Sequence, residues 1–414
     1  MTTTGLACET SVALLTGGAD QPYAFGLSTA LIANGIVVDL IGNDDLDCPD
    51  FHDKPGVTFL NLRGDQKSDA GLVRKASRVL IYYANLIRYA ATAEPKIFHI
   101  LWNNKFEFFD RTLLMLYYKL LGKKIALTLH NVNAARRDSK DTLLNRLTLR
   151  IQYRLADRIF VHTEKMKLEL IEEFGERKTR ITVIPFGINN AVPRTHLTSA
   201  EARHRLGIQE GERAILFFGN IAPYKGLEYL ISAFRKIQKG REDYRLIIAG
   251  RPKNCESYWA PIRASLEEDI RQGRVLLKAD FIPDDETETY FKAADVFVLP
   301  YRHIYQSGVL FLGHSFGLPA LASDVGSLKD DIVDGKTGFV FRPEDPDDLS
   351  RVIEQYFSSD LYVDLNNRRT EIRELATQRN SWDNVSQITM NVYADLLNIP
   401  FVVESSNCDV SSAS

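Results

Sequence analysis

A lysine beside a predicted helix start offers one site for an anion. The stretch FFGNIAPYKGLEYLISAF, residues 217–234, predicts a strand that ends at Gly219, a loop that carries Lys225, and a helix that begins near Gly226. The first N–H groups of a helix have no internal partner, and the helix dipole favours negative charge there. A phosphate group would suit this turn. An ordinary strand–helix turn with a solvated lysine explains the same residues, and the stretch alone does not separate the two hypotheses.

A second predicted helix start has almost no charged side chains. The stretch IYQSGVLFLGHSFGLPALASDVGS, residues 304–327, follows a predicted strand that ends at Pro300, and it predicts a short buried helix that begins at Ser307 and Gly308. Gly308 lets a ligand approach the backbone closely, and the unpaired amides of the helix start could donate to a diphosphate. The apolar side chains also fit a helix that only packs against the core. Different faces of one helix can do both.

Both turns belong to a chain that alternates strands and helices twice. Apolar runs predict strands in the first half at SVALLTG, GIVVDLIG, VTFLNLRG, IFHILW, KIALTLHN, RIFVHT and ITVIPFG, and in the second half at AILFFGN, YRLIIAG, VLLKADFI, DVFVLP, PALASD and GFVF. Helical period is found at 68–92, 109–121, 141–156, 164–174, 227–238, 258–271, 284–293, 347–357, 361–377 and 382–397. Continuous apolar strands that alternate with helices predict parallel sheets covered on both faces.

The predicted architecture is therefore α/β, with two Rossmann-like doubly wound parallel-sheet domains that face a central cleft. Ligands of such sheets bind beyond the carboxyl ends of the strands, so the cleft is the expected site. The predicted divisions are an N-terminal domain at 1–187, a linker at 188–210, a C-terminal domain at 211–380, a helix at 381–400 that packs back on the N-terminal domain, and a disordered tail at 401–414.

Composition argues against several classes of protein. The 414-residue chain is 45% hydrophobic and 25% charged with a net charge of −3, so nothing global indicates a nucleic-acid partner. Cys8, Cys48, Cys255 and Cys408 lack the spacing of a metal site or redox motif, and they predict free thiols in a reducing compartment. The N-terminus lacks the basic start and apolar run of a signal peptide, and no apolar stretch is long enough for a transmembrane helix. We predict a cytoplasmic protein.

Four longer motifs add a resemblance that covers nearly the whole chain. They are GGADQPYAFGLSTALIANG, VIPFGIN, FFGNIAPYKGLEYLISAF and SFGLPALASDVGSLKDDIVDGKTGFVFRPEDPDDL. Together they resemble the retaining glycosyltransferases of family 4, which have the GT-B architecture of two facing Rossmann-like domains. The resemblance implies transfer of a sugar from a nucleotide diphosphate donor to an acceptor, with retention of configuration and without a metal site.

The resemblance also implies roles for particular residues. Lys225 is similar to the lysine that neutralises the donor diphosphate, and preorganised cations and amides aimed at a departing diphosphate lower the barrier. His130, at the end of KIALTLHN, resembles the histidine that reaches the donor sugar. We expect both to be catalytic. Further donor contacts are expected at Gly17, Gly18, Asn220, Arg251, Ile282, Ser307, Gly308 and Val309.

A polar loop follows His130 at a predicted strand end. Asn131 and Asn133 are predicted to contact acceptor hydroxyls, and Arg136 and Arg137 to steer an anionic acceptor; ordinary loop capping is the alternative. The next predicted helix carries three arginines on one face, which predict a solvated face, with a pyrophosphate or membrane-surface patch as the alternative: Arg146, Arg150 and Arg154.

The chain departs from the family pattern at three positions. Asn220 stands where the family has an arginine beside the diphosphate lysine, and Ile304 and Leu312 stand where it often has two glutamates. Amides and Lys225 could suffice, another residue could substitute, or the protein could be a catalytically weakened relative that only binds. Candidates for the substitute are Arg251, Arg302, His303, Tyr305 and Gln306. We expect an active enzyme, because the phosphate-side and sugar-side features occur together.

The expected function is transfer of a hexose from a UDP- or GDP-linked sugar to a glycan or lipid-linked saccharide, in polysaccharide or cell-envelope glycan synthesis. The nucleotide sugar is a co-substrate, and no other cofactor is expected. A nucleotide-sugar or glycan-binding relative is the alternative function. Peripheral association with the inner face of a membrane stays open as a further expectation.

Overall fold

The computed structural model describes residues 10–18, 21–52, 54–65, 71–104, 106–137, 141–188, 192–253 and 255–399 of the chain. The predicted disordered tail lies outside these residues, as do Cys8 and Cys408. None of the described helices combines the length and the apolar character needed to cross a bilayer.

In the described part of the chain, the first sheet has seven parallel strands in the order β3-β2-β1-β4-β5-β6-β7. Their bounds are β1 Ser11–Leu15, β2 Val37–Gly42, β3 Val57–Asn61, β4 Ile97–Ile100, β5 Lys124–Leu129, β6 Arg158–Val161 and β7 Ile181–Val183. Most strands of this sheet are continuous apolar runs, so apolar side chains point to both of its faces. An apolar core covers each face. The strand order reverses direction between β1 and β4, which pair with each other.

The second sheet repeats this plan, with six parallel strands among the described residues in the order β10-β9-β8-β11-β12-β13. Their bounds are β8 Arg213–Phe218, β9 Tyr244–Ala249, β10 Val275–Lys278, β11 Val296–Leu299, β12 Ala320–Ser323 and β13 Gly338–Phe341. Here the order reverses between β8 and β11. Two doubly wound parallel sheets with apolar cores on their faces confirm the predicted fold class.

Helices connect the strands in both halves. Those of the first half are α1 Gln21–Ala33, α2 Leu72–Thr92, α3 Glu107–Phe109, α4 Met115–Leu120, α5 Ala134–Arg137, α6 Leu143–Leu155 and α7 Glu164–Phe174, with a π-helical turn at Asp110–Leu114. Those that follow are α8 Ser199–Arg205, α9 Leu227–Ile237, α10 Glu256–Arg271, α11 Asp284–Ala293, α12 Gly308–Ser315, α13 Leu328–Asp331, α14 Pro346–Phe357, α15 Asp360–Val363, α16 Leu365–Asn380 and α17 Trp382–Leu397.

The segment predicted as a linker contains helix α8, which a capping box begins. The Thr198 hydroxyl accepts a hydrogen bond from the backbone N–H of Glu201, and the Glu201 carboxylate accepts one from the backbone N–H of Thr198. Just before it, the backbone N–H of Thr195 donates to Glu288 of α11 at 2.9 Å. This part of the segment is therefore attached to the second domain.

Helix α17 returns from the second domain and packs on α1 of the first. The indole of Trp382 lies against Gly26 and Gly187, where an added Cβ would come within 2.1 and 2.4 Å of the ring. The indole N–H donates to the Ile188 carbonyl at 2.9 Å, and the side-chain amide of Asn380 donates to the Phe186 carbonyl at 2.8 Å. Glycine is required at both positions, because a side chain would displace the tryptophan.

Candidate active site

The loops after β1 and β4 leave the first sheet side by side. Gly17 and Gly18 follow β1 with φ of +60° and +71°, in the region that favours glycine. A Cβ on Gly17 would lie 2.6 Å from the carbonyl oxygen of Trp102, which follows β4. The two loops therefore meet at the change of strand order, where doubly wound sheets bind ligands.

The loops after β8 and β11 meet in the same way in the second sheet. Gly226 has φ of +62°, and a Cβ there would lie 2.1 Å from the carbonyl oxygen of Pro300. This close approach places the turn Pro223–Lys225 against the loop after β11. The Lys225 ammonium consequently lies 5.2 Å from the ring centroid of Tyr301.

A cavity of about 380 Å³ lies between the two domains. The first domain contributes Tyr23, Phe186 and Gly187 to its wall, and Trp382 of the returning helix completes that side. Five of the predicted donor contacts line the opposite side: Asn220, Lys225, Ser307, Gly308 and Val309. The structure thus brings together the two helix starts that the sequence offered as separate anion sites.

Lys225 is a buried cation without an anionic partner among the described residues. Its side chain is 5% exposed, and within the described part of the chain no carboxylate or other hydrogen-bond acceptor contacts its ammonium group. Burial lowers the pKa of this lysine. Because a desolvated charge is costly unless it is paired, the ammonium group favours an anionic partner from outside the chain.

The start of α12 has free donors at the same wall. Ser307 precedes the helix, and its side chain makes no capping hydrogen bond; its hydroxyl lies 3.3 Å from that of Tyr301. Gly308 is exposed, and the nearest atoms to an added Cβ would be 3.9 Å away on Phe186. An uncapped helix start with open space around it is suited to bind phosphate through backbone amides.

His130 lies behind the wall of the cavity. Its ring stacks on Trp102 with 4.0 Å between centroids, and Tyr23, which does line the cavity, contacts it edge-on at 4.8 Å. His130 does not line the cavity itself. The structure therefore places this predicted sugar contact in the site's second layer of side chains.

Hydrogen bonds determine the tautomer of His130. His162 Nδ1 lies 3.2 Å from the Ile184 carbonyl and donates to it, so His162 Nε2 accepts from His130 Nδ1 at 3.2 Å. The Nε2 atom of His130 is then unprotonated, and it has no hydrogen-bond partner among the described residues. Burial, with smaller effects of His162 and His99, lowers the pKa of His130 well below its usual range. The imidazole is thus a neutral acceptor and not a source of a proton.

Four predicted donor contacts do not line the cavity: Gly17 and Gly18 of the first domain, and Arg251 and Ile282 of the second. The guanidinium of Arg251, after β9, lies 5.4 Å from the ring centroid of Phe281. Ile282, after β10, is buried in the apolar core. Both follow strands on the side of β8 that faces away from β11. They could contact only a ligand that extends along the strand ends.

A second cavity, of about 350 Å³, lies on the first domain. Its lining includes Asn133, Arg136, Arg146, Arg150 and Glu173. Arg136 pairs with Glu173 at 2.6 Å, and Arg146 pairs with Asp141 at 2.6 Å. Arg146 and Arg150, which were predicted on a solvated helix face, therefore line one cavity together with Arg136. Arg154, the third arginine of that face, does not line it.

The other predicted acceptor contacts lie in different surroundings. The side-chain oxygen of Asn133 accepts from the Asn145 amide at 3.0 Å and from the backbone N–H of Arg136 at 3.2 Å, as expected for loop capping. Asn131 is half-buried beside it. The side chain of Arg137 lies outside the described residues.

The positions that lack the family's glutamates are apolar and line the interdomain cavity. Ile304 and Leu312 are 9% and 6% exposed. The aromatic residues opposite them, Tyr23 and Phe186, were not predicted as site residues. Both lie within motifs that carry the resemblance, so those motifs contained the signal. In the part of the chain that the structure describes, no three His, Cys, Asp or Glu side chains are grouped as a metal site would require.

Family models match most of the chain. Glycosyltransferase Family 4 matches residues 20–192, and Glycosyl transferases group 1 matches residues 198–379. The chain belongs to the group 1 glycosyltransferases of family 4.

D-inositol 3-phosphate glycosyltransferase of Acidothermus cellulolyticus is 28% identical to this glycosyltransferase over 249 residues, which are 58% of this chain and 54% of the relative. An uncharacterized glycosyltransferase of Methanocaldococcus jannaschii is 30% identical over 238 residues, 56% of this chain and 58% of the relative. The chain thus spans little more than half the length of these relatives.

Solved structures share the whole fold. Sucrose-phosphate synthase from Thermosynechococcus elongatus superposes with a TM-score of 0.75 at 18% identity, over 94% of this chain and 100% of the other. HepE from Anabaena, in complex with UDP, superposes with a TM-score of 0.69 at 15% identity, over 93% and 100%. At these identities the likeness concerns the fold alone, and this glycosyltransferase has the GT-B fold.

Proposed function

We propose that this glycosyltransferase transfers a hexose from a UDP- or GDP-linked sugar to a glycan or lipid-linked saccharide, with retention of configuration and without a metal. One observation carries the proposal. Lys225 is a buried ammonium without an anionic partner among the described residues, and it lines a cavity that also holds the uncapped start of α12. A nucleotide diphosphate supplies the negative charge and the acceptors that these groups lack.

In the proposed reaction the bond between the sugar C1 and the diphosphate oxygen breaks, and its electron pair leaves with the diphosphate. An acceptor hydroxyl oxygen forms the new bond to C1, and the proton of that hydroxyl passes to the departing diphosphate oxygen. Lys225 and the first amides of α12 stabilise the charge that grows on the departing diphosphate. His130 supports the sugar side of the cavity from behind, through Tyr23, on which its ring packs. Gly17 and Gly18 keep the loop of the first domain close to the donor.

The comparisons support the donor class. A structure of HepE from Anabaena contains UDP-glucose, and one of starch synthase IV from Arabidopsis thaliana contains ADP and acarbose. A UDP-linked hexose is therefore the first donor to test. In our proposal the nucleoside extends along the ends of β9 and β10, where it would meet Arg251 and Ile282.

The second cavity supports an acceptor that carries negative charge. Among the described residues, Arg136, Arg146 and Arg150 line it together with one carboxylate, that of Glu173. A phosphate or pyrophosphate of a lipid-linked saccharide would suit such a cavity, because guanidinium groups bind these anions through paired hydrogen bonds. Asn131 and Arg137 remain proposed acceptor contacts of the same loop.

An apolar face on the first domain supports action at the cytoplasmic surface of a membrane. The side chains that form it are large, hydrophobic and exposed: Val73, Leu80, Ile81, Phe106, Phe108, Leu113, Leu116, Leu120, Leu143, Leu144 and Leu147. The elements that carry them are neighbours, since Tyr117 of α4 donates to the Ile87 carbonyl of α2 and Arg111 donates to Asn145 of α6. Arg150 and Arg154 are exposed on the same α6. Apolar and basic side chains on one surface favour binding to anionic lipid.

A relative that binds nucleotide sugar without transferring it is the second candidate. The observation that favours it is the pair Ile304 and Leu312, which place apolar side chains where the family often has acids. Both candidates require the same donor site, and only the first requires turnover.

Lys225→Met tests the donor site. Methionine keeps most of the length of the side chain and removes its charge. We expect UDP or GDP, and their hexose conjugates, to bind the native protein and to bind the variant about 10- to 100-fold more weakly, as loss of a hydrogen-bonded charge implies. Calorimetry measures this directly. Lys236→Met on α9, where the lysine pairs with Asp347 outside the cavity, is the matched control.

The outcomes of this experiment are distinct. No binding of any nucleotide to the native protein would refute the donor site. Equal binding by the native protein and Lys225→Met would keep the site but remove Lys225 from it. Binding together with release of UDP or GDP in the presence of acceptor would separate the enzyme from the binding relative.

A further inference from the structure

Gln306 has an unusual place in the wall of the interdomain cavity. It lies between Ile304 and Ser307, both of which line the same cavity. Its side-chain oxygen is buried and has no hydrogen-bond donor among the described residues. Leaving such an acceptor unpaired is unfavourable, so a buried unpaired group at a cavity wall indicates a partner that the chain itself does not supply.

Asp331 determines which end of the amide faces it. The Gln306 side-chain nitrogen lies 3.4 Å from Asp331 Oδ2. The other carboxylate oxygen lies 3.5 Å from the Arg379 guanidinium, and the Ser327 hydroxyl lies 3.3 Å from Oδ2. An ionised carboxylate only accepts hydrogen bonds, so the NH₂ group of Gln306 must be the end that points to it. The amide oxygen is consequently the end that is left for another partner.

An amide oxygen accepts hydrogen bonds, so only a part of the nucleotide sugar that donates one can bind it. A diphosphate offers acceptors, which an amide oxygen does not bind. A sugar hydroxyl offers a donor. The nucleoside is proposed to lie along the ends of β9 and β10, away from Gln306. The hexose is therefore the part of the donor that matches this atom.

We propose that the Gln306 side-chain oxygen accepts a hydrogen bond from a hydroxyl of the donor hexose, and that Asp331 is a positioning residue that orients the amide. This inference rests on the proposed function and deepens it, since it names the group that recognises the sugar. Ile304 and Leu312 cannot make such a bond, because their side chains are hydrocarbons. Gln306 thus supplies a polar sugar contact in a wall from which the family's acids are missing.

Gln306→Leu tests the sugar contact. The probes are UDP, GDP, UDP-glucose and GDP-mannose, and calorimetry gives the affinity of each. We expect the affinity for the free nucleotides to change less than twofold, and the affinity for the hexose conjugate that the native protein binds to fall about five- to tenfold, as loss of one neutral hydrogen bond implies. A thermal melt confirms that the variant is folded. Gln355→Leu, at an exposed glutamine of α14, should change neither affinity.

Asp331→Asn tests the positioning role. An asparagine can donate to the Gln306 oxygen, so the amide can turn and present its NH₂ group to the cavity. We expect this variant to lose affinity for the hexose conjugate and to keep affinity for the nucleotide. The same change made in Gln306→Leu should have no further effect on the hexose conjugate, which a purely structural role of Asp331 would not predict.

The results separate this inference from the function on which it rests. If the native protein binds no nucleotide, the proposed function fails and the inference fails with it. If the native protein binds nucleotide and hexose conjugate but Gln306→Leu binds both as the native protein does, the inference is overturned and the function stands. Equal losses for nucleotide and conjugate would also overturn it, because they would place Gln306 at the phosphates.

Discussion

Two histidines of the first domain are uncharged because they are buried. His99 lies 2.6 Å from the hydroxyl of Tyr393 and 2.7 Å from that of Thr128. Burial lowers the pKa of His99 to about 3 and that of His162 to about 4. An unfolded chain has a histidine pKa of about 6.5. Between these values the unfolded chain binds more protons than the folded one, so the free energy of unfolding decreases as the pH falls from about 6.5 toward 4.

We predict that His99→Gln flattens this acid dependence. Glutamine can keep one donor and one acceptor for Tyr393 and Thr128, but it does not titrate. Each buried histidine should cost about 2 kcal/mol of stability at pH 5 relative to pH 7.5, and the variant should lose one such contribution. Urea unfolding at the two pH values measures the difference. His204→Gln, at an exposed position of α8, should leave the dependence as in the native protein; an equally steep dependence in His99→Gln would contradict the prediction.

The local sequence predicts the position of some site residues but not of others. Lys225, Ser307 and Gly308 were predicted as anion contacts because each belongs to a local strand–turn–helix pattern, and the structure places all three on one wall of the cavity. His130 follows such a strand too. Its ring lies behind Tyr23, which comes from an element more than 100 residues earlier in the sequence. Local patterns do not contain that packing, and the roles of all these residues remain predictions until a ligand is tested.

The strands and most helices were predictable because their apolar patterns are local. The bounds of α7, α11 and α17 coincide with the predicted segments 164–174, 284–293 and 382–397. Helix α1 was not predicted. It is covered by the sheet on one side and by α17 on another, so its apolar residues show no single face. The π-helical turn Asp110–Leu114 lies inside a segment predicted as one regular helix, since side-chain period does not distinguish the two.

The apolar face on α2, α4 and α6 gives a prediction at the level of elements. We expect the native protein to bind vesicles that contain anionic phospholipid, and Leu143→Asp combined with Leu147→Asp to reduce that binding at least about tenfold, because each leucine loses apolar area that would be buried in lipid. Flotation of protein with vesicles measures it. Val363→Asp, at an exposed apolar residue of α15 in the second domain, is the matched control. Failure of the native protein to float with anionic vesicles would refute membrane docking through this face.

At the scale of the whole molecule, the two domains touch on both sides of the cleft. On one side the chain crosses between them twice, near Ile188 and Asn380, whose backbones are joined by a hydrogen bond of 2.8 Å. On the other side Tyr305, in the loop before α12, packs into the apolar core of the first domain. Its hydroxyl lies 2.6 and 2.7 Å from the carboxylate oxygens of Glu169 on α7. We therefore expect the first contact to act as a hinge and the second to hold the cleft closed.

Tyr305→Phe should therefore shift the molecule toward an open cleft. Phenylalanine keeps the ring packed in the first domain and removes only the hydrogen bond to Glu169, which as a bond to a charged group contributes about 1.5 kcal/mol or more. The ratio of open to closed molecules should rise about tenfold, since each 1.4 kcal/mol changes an equilibrium by that factor. Energy transfer between dyes on the two domains measures the ratio. Tyr229→Phe is the matched control, because Tyr229 donates to Glu344 at 2.6 Å within the second domain alone. If Tyr305→Phe opens the cleft and Tyr229→Phe does not, the hydrogen bond between Tyr305 and Glu169 holds the two domains together. Equal energy transfer in both variants would mean that the packing of the Tyr305 ring alone does so.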